Sequence, residues 1–368
     1  MTTSFTYRLL PLLACLGWAA SSALAPATDT GSTAPVLPNH PGIIYEGRYA
    51  TAANGAVRLG FPGVTAHLRF RGPSLTMQVS ASDDIYFDLS IDGAAPTLLG
   101  VKKGEGSYPI FQNGNATEHT VALTRRNESW QGTCDILRFE LGGAGELLPP
   151  PALPQRKLMF IGDSVTCGEM DSFVAGRNFQ DRLNSNARIS YGMILARKFG
   201  AQCHLVSCGG RGLVRDWQGV RNGINAPQFY ELALPDDPAI NWDHQRYVPD
   251  AIGIALGQND FNLGLPDQVD YVNAYVQFIE KIRRDAPQAV IFLINSPMQN
   301  DSDPLGDPRR AAMLAYLTQI VARIGSPKVV LARLSHYPGV PGNTHPTGAE
   351  HVAMAAELEP VFRRTLGW

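Results

Sequence analysis

Lys157-Leu-Met-Phe-Ile-Gly-Asp-Ser-Val-Thr-Cys-Gly168 is an apolar run that breaks abruptly into glycine, a carboxylate and a hydroxyl. Its first part, Lys157 to Gly162, has the length and near-continuous apolarity of a strand buried on both faces. Similar runs follow at Cys203-His-Leu-Val-Ser207, Ala251-Ile-Gly-Ile-Ala-Leu256 and Val290-Ile-Phe-Leu-Ile294. Between them lie helical segments with matching punctuation: Ser190 before Tyr191 to Phe199 with Gly200 after it, and Asp307-Pro308 ahead of Arg309 to Ile324. Strands alternating with helices predict a mostly parallel sheet covered on both faces, an α/β/α three-layer domain over residues 157–368. Ligand sites in such sheets lie beyond the carboxyl ends of the strands.

Upstream the texture differs. From Ile44 to Leu141 short runs alternate with period two, as in Leu75-Thr-Met-Gln-Val79, Tyr86-Phe-Asp-Leu-Ser-Ile91, His119-Thr-Val-Ala-Leu123 and Ile136-Leu-Arg-Phe-Glu-Leu141. Turn-formers punctuate them at Phe61-Pro-Gly63, Arg71-Gly-Pro73, Asp92-Gly93 and Asn113-Gly114. An N-terminal all-β sandwich of jelly-roll type over residues 41–145 is the natural reading. A Pro-rich linker at 146–156 then separates it from the second domain. Two domains also suit a chain of 368 residues.

The first 25 residues read as a signal peptide, with Arg8, the apolar run Leu9 to Ala20 and the small-x-small site Ala23-Leu-Ala25. A competing reading takes Leu12-Leu-Ala-Cys15 as a lipoprotein cleavage box. Residues 26–40, rich in Ser, Thr, Pro and Ala, read as a leader. Export to the periplasm or the exterior is the expectation. No later segment has the roughly 20 apolar residues of a spanning helix, so no membrane association is expected after signal cleavage. A formal net charge of -2 without a basic stripe excludes nucleic acid as a natural partner. Cys134, Cys167, Cys203 and Cys208 suit no zinc spacing, and the sequence does not decide their disulfide state. Nothing in the pattern points to an oligomer, so a monomer is expected.

Four polar or glycine-rich segments follow a strand or precede the last helix: Gly162 to Gly168, Gly209-Gly-Arg-Gly212, Gly257-Gln-Asn-Asp260 and His345-Pro-Thr347. Ester hydrolysis needs a hydroxyl activated by an imidazole, and fixed donors where the oxyanion forms. Ser164 is the candidate nucleophile. Its backbone N–H, that of Gly210 and the side-chain amide of Asn259 are candidate oxyanion donors, and His345 is the candidate base. Neither a metal nor another cofactor is required. His351 competes with His345, but the two lack the i, i+4 spacing of a helical zinc pair. Asp260 reads as structural. Trp217 and Trp242 fall where an aromatic sugar platform could border a cleft, and Trp217 is the candidate substrate-binding residue.

The order Ser, Gly, Asn, His, carried by Gly162-Asp-Ser164, Gly210, Gly257-Gln-Asn-Asp260 and His345-Pro346, resembles the SGNH hydrolase superfamily. That implies a flavodoxin-like catalytic domain. Joined directly to a β-sandwich, and with Gly162 to Gly168 and Gly209-Gly-Arg-Gly-Leu213 in their present form, the chain is similar to carbohydrate esterase family two. The resemblance implies a secreted acetylxylan- or acetylglucomannan-type esterase acting through an acetyl-serine intermediate, with acetylated polysaccharide or oligosaccharide as substrate. It also implies a sandwich packed against the catalytic domain. The alternatives are an SGNH esterase for a lipid or peptidoglycan acyl group, and a catalytically degenerate polysaccharide-binding protein. One departure stands out: the superfamily has Asp three residues before the histidine, where this chain has Gly342 followed by Asn343. The group that orients His345 is therefore open, with the Asn343 side-chain oxygen and a main-chain carbonyl as candidates.

Overall fold

The computed structural model describes residues 34–302 and 306–368. The expected signal peptide, most of the leader and Cys15 lie outside the described residues. The N-terminal half is a sandwich of two six-stranded antiparallel sheets. One sheet runs Tyr49–Thr51, Val57–Leu59, Cys134–Leu141, Ser74–Ala81, Gly104–Gln112, with Ala34–Val36 also pairing with Cys134–Leu141. The other runs Glu146–Leu148, Thr65–Arg71, Glu118–Arg125, Ile85–Ile91, Thr97–Val101, with Ile43–Glu46 also pairing with Thr65–Arg71. The period-two pattern is realised directly: in Ser74–Ala81 every second residue is buried. The turn at Asp92-Gly93 has positive φ at both residues, 52° and 74°, as a two-residue hairpin demands.

Two segments differ from expectation. Ala34–Val36, placed in the leader, pairs with Leu141 to Phe139, and Glu146–Leu148, placed in the linker, pairs with Arg71 to Arg69. Both are too short to show alternation. Their strand form comes from open sheet edges offering unpaired N–H and C=O groups.

The second half is a five-stranded parallel sheet in the order Ala201–Ser207, Arg156–Gly162, Ala251–Ala255, Val290–Ile294, Val329–Ala332. Alternate residues face opposite layers. Leu158, Phe160, Cys203 and Leu205 pack with the helices Tyr191–Phe199 and Gly348–Leu366. Met159, Ile161, Val206, Ile252 and Ile254 face the other way, into a core shared with helices Gln268–Asp285 and Arg309–Ile324 and with the sandwich. That core runs without interruption from Phe61 and Phe87 in the sandwich to Tyr275 and Leu317 in the second half.

Polar contacts fasten the same seam. Glu46 accepts the Cys203 N–H, His204 Nε2 accepts the Gly47 N–H at 2.9 Å, and Asn186 Nδ2 donates to Asp88 at 3.1 Å. Arg48 is fully buried there. Its Nη1 donates to the carbonyls of Tyr230 and Leu232, and its guanidinium lies over Tyr230 and Trp242 at 5.3 and 5.4 Å. Burial pushes its pKa down to about 10, so it remains charged at neutral pH. Replacing it strands two buried carbonyls. Arg48→Met is expected to lower the unfolding free energy by about 2–4 kcal/mol, measured by denaturant titration; an unchanged midpoint would show that the seam does not depend on this cation.

Candidate active site

The strand Arg156–Gly162 delivers Ser164 to the carboxyl edge of the sheet through a very tight turn. A Cβ on Gly162 would stand 2.0 Å from Thr166 Oγ1 and 3.1 Å from Ala255 O. Asp163 is the N-cap of the single helical turn Ser164–Cys167, its carboxylate accepting the Val165 N–H at 3.1 Å. Ser164 is therefore the first helical residue and its hydroxyl is free of capping duty. Burial, with the Asp260 charge adding to it, pushes the Asp163 carboxyl up to about 7.

His345 comes from the far end of the chain. Its loop turns at Val340-Pro-Gly-Asn343, where the Asn343 N–H donates to Val340 O at 2.9 Å and Gly342 has φ 84°. Proline second and a positive-φ glycine third make a type II turn, a physical reason for glycine at the position where a carboxylate was expected. The loop's ends are gathered by Glu350, which accepts from Thr347 N–H at 2.7 Å, Thr347 Oγ1 at 2.8 Å and Gly339 N–H at 3.1 Å.

Ser164 Oγ and His345 Nε2 are 2.8 Å apart. Asn343 Oδ1 lies 3.1 Å from the His345 backbone N–H and 2.7 Å from ring Nδ1. The backbone N–H can only donate, so it determines that the amide oxygen faces the ring. That oxygen makes Nδ1 the protonated nitrogen and leaves the Nε2 lone pair for the Ser164 hydroxyl.

The candidate oxyanion donors Gly210 and Asn259 come from the two neighbouring strand ends. Gly210 has φ 73°, and a Cβ there would lie 2.7 Å from Trp217 Cδ1. Trp217 returns along the loop to donate its N–H to Gly210 O at 2.9 Å. Asn259 gives one amide hydrogen to Arg211 O at 2.8 Å, and the amide has a second to offer. Asp260, fully buried, accepts the N–H groups of Leu213, Val214 and Arg215 at 2.8, 2.7 and 3.2 Å, bracing the glycine loop from below. Burial raises its pKa.

Ser164, Gly210, Asn259, Trp217 and His345 thus line a single cleft of about 680 Å³. Trp130, Glu169, Arg211 and Asp216 line it too and were missed in the sequence. Glu169 directly follows Gly168, a positional hint. Trp130 belongs to a sandwich loop, and no linear pattern connects it to the catalytic half. Trp130 and Trp217 are 49% and 53% exposed, unusually open for tryptophan. Trp242 is elsewhere, buried at the interdomain seam between Arg48 and Arg246. His351 is a core residue: its Nδ1 accepts the Tyr191 N–H at 3.1 Å, and burial pushes its pKa down to about 3. The four described cysteines are buried and free. Glu231, His244 and Asp285 have ligand atoms within 4.8 Å of one another, but the Lys281 ammonium 2.6 Å from Glu231 already meets their charge.

The family model for the carbohydrate esterase 2 N-terminal region matches residues 45–151, and that of the GDSL-like lipase/acylhydrolase family matches residues 160–360. An acetylxylan esterase/glucomannan deacetylase of Cellvibrio japonicus is 38% identical over 339 residues, 92% of each chain. The solved structure of a family two carbohydrate esterase from the same organism superposes with a TM-score of 0.87 at 36% identity, covering 92% of this chain and 99% of that one. A family two carbohydrate esterase from Clostridium thermocellum, solved with cellohexaose, gives 0.81 at 28% identity, covering 89% and 100%.

The Asn343 contact generates a prediction. Asn343→Ala is expected to lower kcat about hundredfold by releasing the ring. Asn343→Asp, which keeps the acceptor and adds charge, should be at least about tenfold faster than Asn343→Ala. Hydrolysis of 4-nitrophenyl acetate measures both, and equal rates for Asn343→Ala and wild type would remove Asn343 as the orienting group.

Proposed function

The chain belongs to carbohydrate esterase family two and is an acetyl esterase, and from that premise we propose that it is exported and removes O-acetyl groups from the plant cell-wall polysaccharides xylan and glucomannan. The observation that carries the mechanism is the 2.8 Å contact between Ser164 Oγ and His345 Nε2 in an open cleft edged by further hydrogen-bond donors.

Nε2 takes the Ser164 proton as Oγ bonds to the acetyl carbonyl carbon. The carbonyl oxygen becomes an oxyanion among the N–H groups of Ser164 and Gly210 and the Asn259 amide. Collapse breaks the bond to the sugar oxygen, which leaves with the proton from His345. Water then repeats the sequence on acetyl-Ser164, releasing acetate and restoring both residues. Asn343 holds the ring throughout. Trp217, joined by Trp130 on the sandwich side, presents an aromatic face for a sugar ring. Between them a polymer can lie across the cleft mouth while one acetyl group enters.

Acetate release from acetylated xylan and acetylated glucomannan, by wild type and Ser164→Ala, tests this reading. The wild type should release acetate from both and the variant should lose at least about a thousandfold in rate. Undiminished release by Ser164→Ala would rule out the serine mechanism, and no release by the wild type would rule out these polymers.

A further inference from the structure

The site has a carboxylate in a place that a catalytic triad does not use. Glu169 Oε2 lies 3.5 Å from His345 Nε2, on the side of the ring that faces Ser164. Behind it stands a second carboxyl, Glu128, contributed by the sandwich. Glu128 is fully buried, neither of its carboxyl oxygens has a hydrogen-bond partner among the described residues, and the Glu169 charge acts on it. Its carboxyl fills the space beside Gly209, where a Cβ would come 2.2 Å from Oε2. The loop that holds it is built on Arg125, whose fully buried guanidinium binds the carbonyls of Asn127, Glu128 and Gly132. Ser129 next to it accepts the Gly209 N–H at 3.3 Å. A sandwich loop is thus wedged between the nucleophile turn and the glycine loop.

Two neighbouring carboxyl groups that feel one another's charge resist ionising together, and a proton kept on one is available for donation to the other. Glu128 is the more deeply buried, so the proton belongs there. Burial first, then the charges of Glu169 and Asp163, hold its carboxyl well above the usual carboxylate range. Glu169 reaches the cleft and the imidazole.

We propose that ionised Glu169 supplies the negative charge that stabilises the His345 imidazolium, and that the sandwich residue Glu128 holds Glu169 in place by donating its carboxyl proton to it. Both are positioning residues, and the inference rests on Ser164 and His345 acting as nucleophile and base. The pair answers the departure at Gly342. Asn343 orients the ring without charge from the Nδ1 side, and the charge enters from the Nε2 side. When Nε2 is protonated after Ser164 attacks, its N–H points toward both the Ser164 oxygen and Glu169, so the proton is retained without leaving reach of the departing sugar oxygen. Facing the pair are Asp163 and Cys167 on the nucleophile turn, Cys208 at the neighbouring strand end, and Arg125 behind the Glu128 backbone. Arg211 and Asp216 line the same cleft.

The test is the pH dependence of kcat/KM for acetyl ester hydrolysis by the full chain, in wild type, Glu169→Gln, Glu128→Gln, Glu128→Leu and Ser164→Ala. The sign follows from the charge. Removing the anion disfavours imidazolium, so the base stays neutral to lower pH. Glu169→Gln should lower kcat/KM by about tenfold or more and move the midpoint of the acidic limb about one pH unit lower. Glu128→Leu should lose a similar factor, and Glu128→Gln, whose amide can still donate to Glu169, should recover most of that loss. A Glu169→Gln profile with its acidic limb unmoved overturns the proposal, whatever its rate. Should Glu128→Leu fail to fold in a thermal melt, the comparison of Glu128→Gln with Glu169→Gln decides: equal losses overturn the role of Glu128. If Ser164→Ala abolishes activity while the Glu169→Gln limb stays in place, only this inference falls. If Ser164→Ala keeps full activity, the underlying reading falls with it.

Discussion

A hydrogen bond between two residues 181 positions apart, Ser164 and His345, is what the architecture has to deliver. A shift of about 1 Å would leave neither a base near the hydroxyl nor an oxyanion near its donors. Each partner is therefore held by elements with little freedom. The Ser164 turn has no room for a side chain at Gly162 and is closed by a left-handed Gly168. The His345 loop is closed by a type II turn at one end and by the Glu350 capping box at the other. The parallel sheet supplies the common frame, since adjacent strand ends place Gly210 and Asn259 beside Ser164.

The sandwich is part of this frame. Its core is continuous with one face of the catalytic sheet, and the loop from Arg125 to Gly132 reaches into the catalytic edge. Burying an arginine at each of two such places, Arg48 and Arg125, costs desolvation that their carbonyl contacts must offset. The return is geometric. Arg48 joins the halves at the seam, and Arg125 shapes the loop that carries Glu128, Ser129 and Trp130.

Much of this was legible in the residues. Apolar runs followed at once by glycine, hydroxyl or amide gave both the parallel sheet and the convergence of Ser164, Gly210, Asn259, Trp217 and His345, because a strand end is a local feature with global placement. Period-two alternation outlined the sandwich for the same reason. What stayed hidden depended on contacts between distant segments. Ala34–Val36 and Glu146–Leu148 are strands only because an edge was open. Glu128 and Trp130 sit in the connection that crosses from one sheet of the sandwich to the other, a segment with no period, and their importance comes from what the second domain places against them. Trp242 looked like Trp217 in sequence and lies in the seam, since exposure is decided by packing that no single segment encodes. Gly342 was legible as a departure, and its turn supplies the reason.

The claim that Ser164 is a nucleophile driven by His345 is tested most directly by covalent labelling with a fluorophosphonate, followed by peptide mapping of the wild type and of His345→Ala. The account predicts a single adduct on the peptide containing Ser164, formed rapidly in the wild type and slowed severely in His345→Ala. An active wild type left unlabelled at Ser164, or labelled there equally fast without His345, would contradict it.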